Sequence, residues 1–207
     1  MTWEDKISRI REDIFRGVEA YKENLVGKYF LYVFDNRYIE VTFQKKHYKH
    51  LTGVDSQLFG NRFYDKAKTR TLAINQIFFN VQHPYNAAKK KVKELVNLNK
   101  ITSSDIFIVE EYTTDTVQYK FALTNLDYTI CITENLDKET GCKIDEFFVP
   151  KSLRVKDKPF DKSDDVFVVD FIFMKQNKHY KYDTLTFGDR SKIDSLPATI
   201  KELINIT

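Results

Sequence analysis

Seven apolar side chains recur at helical spacing near the start of the chain. Trp3, Ile7, Ile10, Ile14, Val18, Tyr21 and Leu25 are separated by four, three, four, four, three and four residues. A stripe this long makes Thr2 to Lys22 an amphipathic helix that must pack on something, with the protein core as the default partner. Thr2 and Asp5 supply a capping pair, with the carboxylate near the helix N-terminus.

Beyond Leu25 the chain is richer in strand signals. KYFLYVF (Lys28–Phe34) and YIEVTF (Tyr38–Phe43) flank Asp35-Asn36-Arg37 and predict a hairpin. Arg62 to Lys68 has the composition of a short helix, and TLAINQIFFNV (Thr71–Val81) favours no one state. His83-Pro84 opens a stronger helix to about Leu98, with Ala88, Val92, Leu95 and Val96 inward and Lys89, Lys90, Lys91 and Lys93 on a solvated face. From Asp105 strands are expected at Ile106–Tyr112, Val117–Thr124, Tyr128–Thr133, Glu146–Val149, Ser152–Val155, Val166–Met174 and His179–Phe187. Turns at TTDT (Thr113–Thr116) and KQNK (Lys175–Lys178) join them, and Ser195 to Ile206 closes the chain as a short helix. Helices first and a strand meander afterwards predict α+β: an N-terminal helix and helical segment on a mainly antiparallel sheet. The length suits a single domain over 1–207, helix- and Lys-rich to residue 100 and β-rich beyond.

Composition narrows the function. With 42% hydrophobic and 30% charged residues the chain is globular, and 6 Gly and 4 Pro leave little room for low complexity. No apolar run approaches the roughly 18 residues of a membrane span. MTWEDKISRIRED carries no apolar signal core, so a cytoplasmic protein with no membrane partner is expected. Cys131 lies in the apolar run YTICIT and reads as a buried free thiol, which suits a reducing compartment. The net charge of +3 is unevenly spread: Arg37 to Lys100 holds 13 Lys/Arg against 4 Asp/Glu, a balance of +9, which leaves −6 elsewhere. Such asymmetry suggests a basic face for a polyanion.

The sharpest feature of that basic stretch is FQKKHYKHLTG, Phe43 to Gly53. Lys45, Lys46 and Lys49 attract phosphate, His47 and His50 can move protons near neutral pH, and Tyr48 can stack a base. The bland alternative is a strand end with a solvated basic edge. Read as extended, the segment turns Tyr48, His50 and Thr52 to one face, joined by Lys46. A structural histidine and a turn hydroxyl before Gly53 are the alternatives for His50 and Thr52.

Two later segments add candidates. ALTNLDYTICITEN (Ala122–Asn135) puts Thr124 at a tight turn, and FFVPKSLRVKDK (Phe147–Lys158) puts Lys151, Ser152 and Arg154 on or beside a strand. Arg154 could grip a phosphate bidentately or sit in an ion pair. Asp170, inside VFVVDFIFM, needs a partner if buried. No CxxC, HExxH, GxxxxGK[ST], GxGxxG or GxSxG occurs, so no metal site and no cofactor is expected.

FQKKHYKHLTGV, ALTNLDYTICITEN and FFVPKSLRVKD together resemble a phage-associated branch of the barnase–EndoU–colicin–RelE-like nuclease superfamily, from about Lys28 to Asp157. The resemblance implies a helix-plus-antiparallel-sheet fold and metal-independent RNA cleavage leaving a cyclic phosphate. His50 and Thr52 fall on its HLTG positions, while Lys46 and Arg154 join them as catalytic candidates on chemical grounds alone. Lys45, Lys49, Tyr48, Thr124 and Lys151 complete the set as RNA contacts. The expected function is a phage or mobile-element ribonuclease with RNA as partner. The alternatives are a non-catalytic inhibitor of a host or defence protein, for example an RNA-guided nuclease or its RNA, and a toxin masked by an antitoxin. The oligomeric state stays open.

Overall fold

The computed structural model describes residues 2–114, 117–137 and 139–206. Its first helix, α1 (Trp3–Asn24), carries the capping box foreseen at Thr2 and Asp5, and Ile7, Ile10, Ile14, Val18 and Tyr21 are buried along one face. The hairpin comes next as β1 (Tyr29–Phe34) and β2 (Arg37–Thr42), paired from Tyr29↔Thr42 to Phe34↔Arg37. Asp35 and Asn36 form its turn with φ of 45° and 55°, the left-handed pair that matches strand twist and that Asp and Asn tolerate.

The basic segment is helical, not extended. A 3-10 turn over Lys45–His47 runs into α2 (Tyr48–Thr52), and Gly53 ends it in the left-handed region. The reason is packing. Tyr48 and Leu51, three apart, are both fully buried, and helical spacing alone turns both inward. The shared face of Tyr48, His50 and Thr52 expected from an extended chain does not exist.

Helix α3 (Gly60–Lys68) and α4 (Tyr85–Glu94) complete the helical layer with a 3-10 stretch over Leu95–Thr102, where the sequence predicts α-helix to Leu98. Thr71–Val81 holds only the 3-10 turn Ile74–Gln76 and an isolated bridge, Asp55↔Phe78. Strands β3 (Phe107–Thr113), β4 (Gln118–Thr124), β5 (Tyr128–Leu136) and β6 (Lys143–Val155) form an antiparallel meander. The TTDT turn lies partly outside the described residues. Val166–Met174 divides into β7 (Val166–Val168), beside β3, and β8 (Phe171–Lys175), beside β1. Asp170 lies between them, exposed, so it needs no buried partner. The last strand, β9 (Thr184–Phe187), is shorter than expected, and α5 (Ala198–Lys201) is the only α-helical turn near the C-terminus among the described residues.

One nine-stranded sheet results, in the order β7-β3-β4-β5-β6-β2-β1-β8-β9, and the fold is α+β. All its pairings are antiparallel except β2 with β6, which meet in parallel at Val41↔Phe148. Strand alternation divides the core. Phe30, Tyr32 and Phe34 join the helices in the main cluster, whereas Leu31 and Val33 face a second cluster with Tyr182, Leu196 and Ile200. Cys131 is buried and free, and Cys142 exposed and free. No helix among the described residues is long and apolar enough to cross a membrane.

Candidate functional site

The parallel seam builds the site. Strands β2 and β6 run the same way, so the chain leaving β2 folds as α2 beside the second half of β6, and the two pack together. A cleft of about 960 Å³ lies there, closed on its other sides by the loop before α4, by α4 itself, and by Thr114, Tyr119 and Lys162. Seven cationic side chains line it (Lys49, Lys90, Lys91, Lys151, Arg154, Lys156 and Lys162) against two carboxylates, Asp55 and Asp157. Charge of one sign in a concave wall focuses potential onto an incoming anion. Two imidazoles, His50 and His83, line the same cleft.

Each wall is held by local structure. On β6, Ser152 pairs with Cys131 and Pro150 with Ile132, so Lys151 is the extra residue of a β-bulge, a device that re-aims a side chain. Arg154 pairs across with Thr129, and its Nε is buried without a hydrogen-bond partner. Its guanidinium lies close enough to Cys131, Tyr119 and Lys91 to influence the ionisation of all three. Burial pushes the Cys131 thiol up to about 12, with Arg154 pulling the other way. Lys91 is half-buried, and its ammonium is held below the usual lysine range, first by burial and then by the Arg154 charge. Beneath Lys91 lies Gly53, with φ +70° and no side chain; a Cβ there would stand 2.6 Å from Lys91 Cδ. Across the cleft Tyr112 donates to Asp157, which also lies 3.9 Å from Lys162.

The residues singled out from the sequence divide into three groups. His50, Lys49, Lys151 and Arg154 converge on the cleft. Lys49 is also a staple, since its Nζ donates to the carbonyls of Ser56 (2.5 Å) and Leu58 (3.0 Å). Lys46 lines an adjoining groove, and Lys45 lines neither, lying 3.7 Å from Asp65 and over the Tyr64 ring. Tyr48, Thr52 and Thr124 are fully buried and serve the scaffold. Tyr48 donates to the Ile14 carbonyl at 2.6 Å and packs on Tyr21, so its ring has no face for a base. Thr52 donates to Lys49 O and accepts from Val54 N, which makes it the turn hydroxyl. Thr124 closes the β4–β5 turn by donating to Tyr128 O and accepting from Leu126 N.

Lys91 and His83 are absent from the candidates that the sequence suggests. The lysine-rich pattern assigns Lys91 to the solvated face of its helix. Yet Ala88, Lys91, Val92 and Leu95 fit the three-four spacing of an inward stripe, and that is the available signal. Among the described residues no group of three His, Cys, Asp or Glu side chains is placed to hold a metal.

A family model described as phage-Barnase-EndoU-ColicinE5/D-RelE like nuclease 4 matches residues 13–191 of this chain. No curated protein and no solved structure matches it significantly.

Proposed function

The chain belongs to the phage-Barnase-EndoU-ColicinE5/D-RelE like nuclease 4 family, which supports a nuclease function, and from that premise we propose that it is an endoribonuclease using the RNA's own 2′-hydroxyl. The observation that carries the reading is the cleft, where two imidazoles stand among seven cationic side chains. In this reaction the 2′-oxygen bonds to phosphorus and the bond from phosphorus to the 5′-oxygen breaks. One group must take the 2′ proton and another must protonate the leaving oxygen. His50 and His83 are assigned to that pair. Arg154, Lys91 and Lys151 hold the phosphate and offset the charge that grows on its oxygens, the type of contribution that is often the largest in such sites. The products are a 2′,3′-cyclic phosphate and a 5′-hydroxyl. None of these steps is routed through a metal.

The test is incubation of purified protein with single-stranded RNA in EDTA, followed by analysis of the ends. Cleavage to cyclic phosphate is expected. His50→Ala should lower the rate by about 100-fold or more, the typical worth of acid–base help, with the circular dichroism unchanged. RNA left intact, equal cleavage of an all-deoxy strand, or full activity in His50→Ala would each refute the assignment.

A further inference from the structure

A second groove, of about 680 Å³, opens off the basic cleft and shares Lys49, His50 and Lys151 with it. Its other walls differ in chemistry. Leu58, Phe59, Leu136 and Ile144 give it apolar surface, and Glu134, Asp137 and Glu139 give it carboxylates, beside Lys46 and His47. Carboxylates repel a second phosphate but accept hydrogen bonds from base amino groups. Phe59 is the most exposed aromatic ring among the described residues, at 85%, and none of their ring contacts involves it. An apolar ring held in water is unfavourable unless something covers it.

That ring is displayed from fixed backbone. Phe59 caps α3, and its carbonyl accepts from Phe63 N at 2.9 Å. Gly60 comes next at a close approach, where a Cβ would stand 2.2 Å from the Lys46 carbonyl, so α3 starts pressed against the Lys45–His47 turn. The neighbouring Leu58 carbonyl is held by Lys49, the residue next to His50. The distance from Phe59 to the proposed reacting centre is thereby set by the scaffold. A strand whose phosphate sits in the cleft has this groove as a continuous path outward.

We propose that the second groove is a base subsite, in which Phe59 stacks an unpaired base of the strand beside the scissile phosphate. The proposal rests on the nuclease reading for the placement of that phosphate, and it makes the substrate single-stranded, because a paired base shows no free face. Stacking on one aromatic ring corresponds to roughly 5- to 150-fold in affinity.

The experiment is fluorescence anisotropy with a 2′-fluoro oligoribonucleotide, which lacks the 2′-hydroxyl nucleophile, together with a set carrying one abasic site at each position in turn. Phe59→Ala should weaken binding by roughly 5- to 150-fold, and Phe59→Trp should retain it. One abasic position should reproduce the loss in the wild type and add nothing in Phe59→Ala. Unchanged affinity in Phe59→Ala, or no abasic position coupled to it, would overturn the subsite and leave the ring to a protein contact. Cleavage of unmodified RNA is scored separately. A coupled binding loss with uncleaved RNA would remove the nuclease reading and keep the subsite, and normal cleavage with no coupling would do the reverse.

Discussion

Replacing Gly53 by alanine moves Lys91 without deleting it. Two effects can be sized from the structure. The backbone at φ +70° costs an L-residue about 1–2 kcal/mol. The new Cβ would meet Lys91 Cδ at 2.6 Å, and ordinary contact begins at 3.4 Å, so one partner must shift by 0.8 Å, the difference. The lysine stem is flexible and the Gly53 backbone is not, so the stem moves and its ammonium leaves its place beside Arg154. A misplacement of about 1 Å in a reacting assembly can cost about 100-fold in rate. Gly53→Ala should therefore lower kcat/KM on single-stranded RNA by about 10- to 100-fold. For a chain of this size it should also lower Tm by about 2–8 °C, from about 2–4 °C per kcal/mol. Stopped-time cleavage assays and thermal unfolding by circular dichroism measure the two. The decisive control is Lys91→Met with Gly53→Ala added. Once the ammonium is gone the glycine change should cost stability but no further rate. Full cleavage in Gly53→Ala despite the lower Tm would refute the idea that Gly53 seats a working lysine.

The same geometry carries three further expectations. In the folded protein Lys91 loses its proton at lower pH than in the unfolded chain, so between the two pKa values the unfolded state binds more protons and stability rises with pH. Lys91→Met should flatten that rise in urea-unfolding midpoints measured across alkaline pH, and an unchanged slope would assign it to other groups. Tyr48→Phe removes the hydrogen bond to the Ile14 carbonyl and should cost about 1 kcal/mol of stability with no change in cleavage per folded molecule. Unchanged stability would instead show that this buried hydrogen bond does not hold α2 to α1. Iodoacetamide at about pH 8 should label Cys142 and spare Cys131, which is buried with its thiol pushed up to about 12. Peptide mass spectrometry reads the outcome, and rapid labelling of Cys131 would contradict the burial.

How much is legible in the sequence depends on how local the cause is. The α1 stripe and the Asp35-Asn36 turn are properties of adjacent residues, and the structure keeps both. Pro150 divides β6 into two strands in the sequence pattern, because proline cannot donate to a ladder. In the fold Pro150 sits beside the bulge, where the pairing is already irregular, and the strand runs through. In the basic segment, charge draws attention away from Tyr48 and Leu51, whose spacing holds the helical answer. Val166–Met174 looks continuous, yet its two halves pair with different strands, β3 and β1, a tertiary choice that no local pattern encodes.

The division of charge along the chain misleads in a more instructive way. A balance of +9 over Arg37–Lys100 and −6 elsewhere places the basic face in the first half. The cleft takes Lys49, Lys90 and Lys91 from that half, but Lys151, Arg154, Lys156 and Lys162 come from the acidic remainder. Net charge over a segment averages both faces of its strands, whereas a polyanion responds to what lines one wall. What joins the two sets is the parallel meeting of β2 and β6, strands more than a hundred residues apart. The bulge at Lys151 and the glycine under Lys91 then aim cations from opposite walls into the same space. Strengthening the positive charge of either half elsewhere on its surface would not reproduce that, because screening confines exposed charges to a range of about 10 Å.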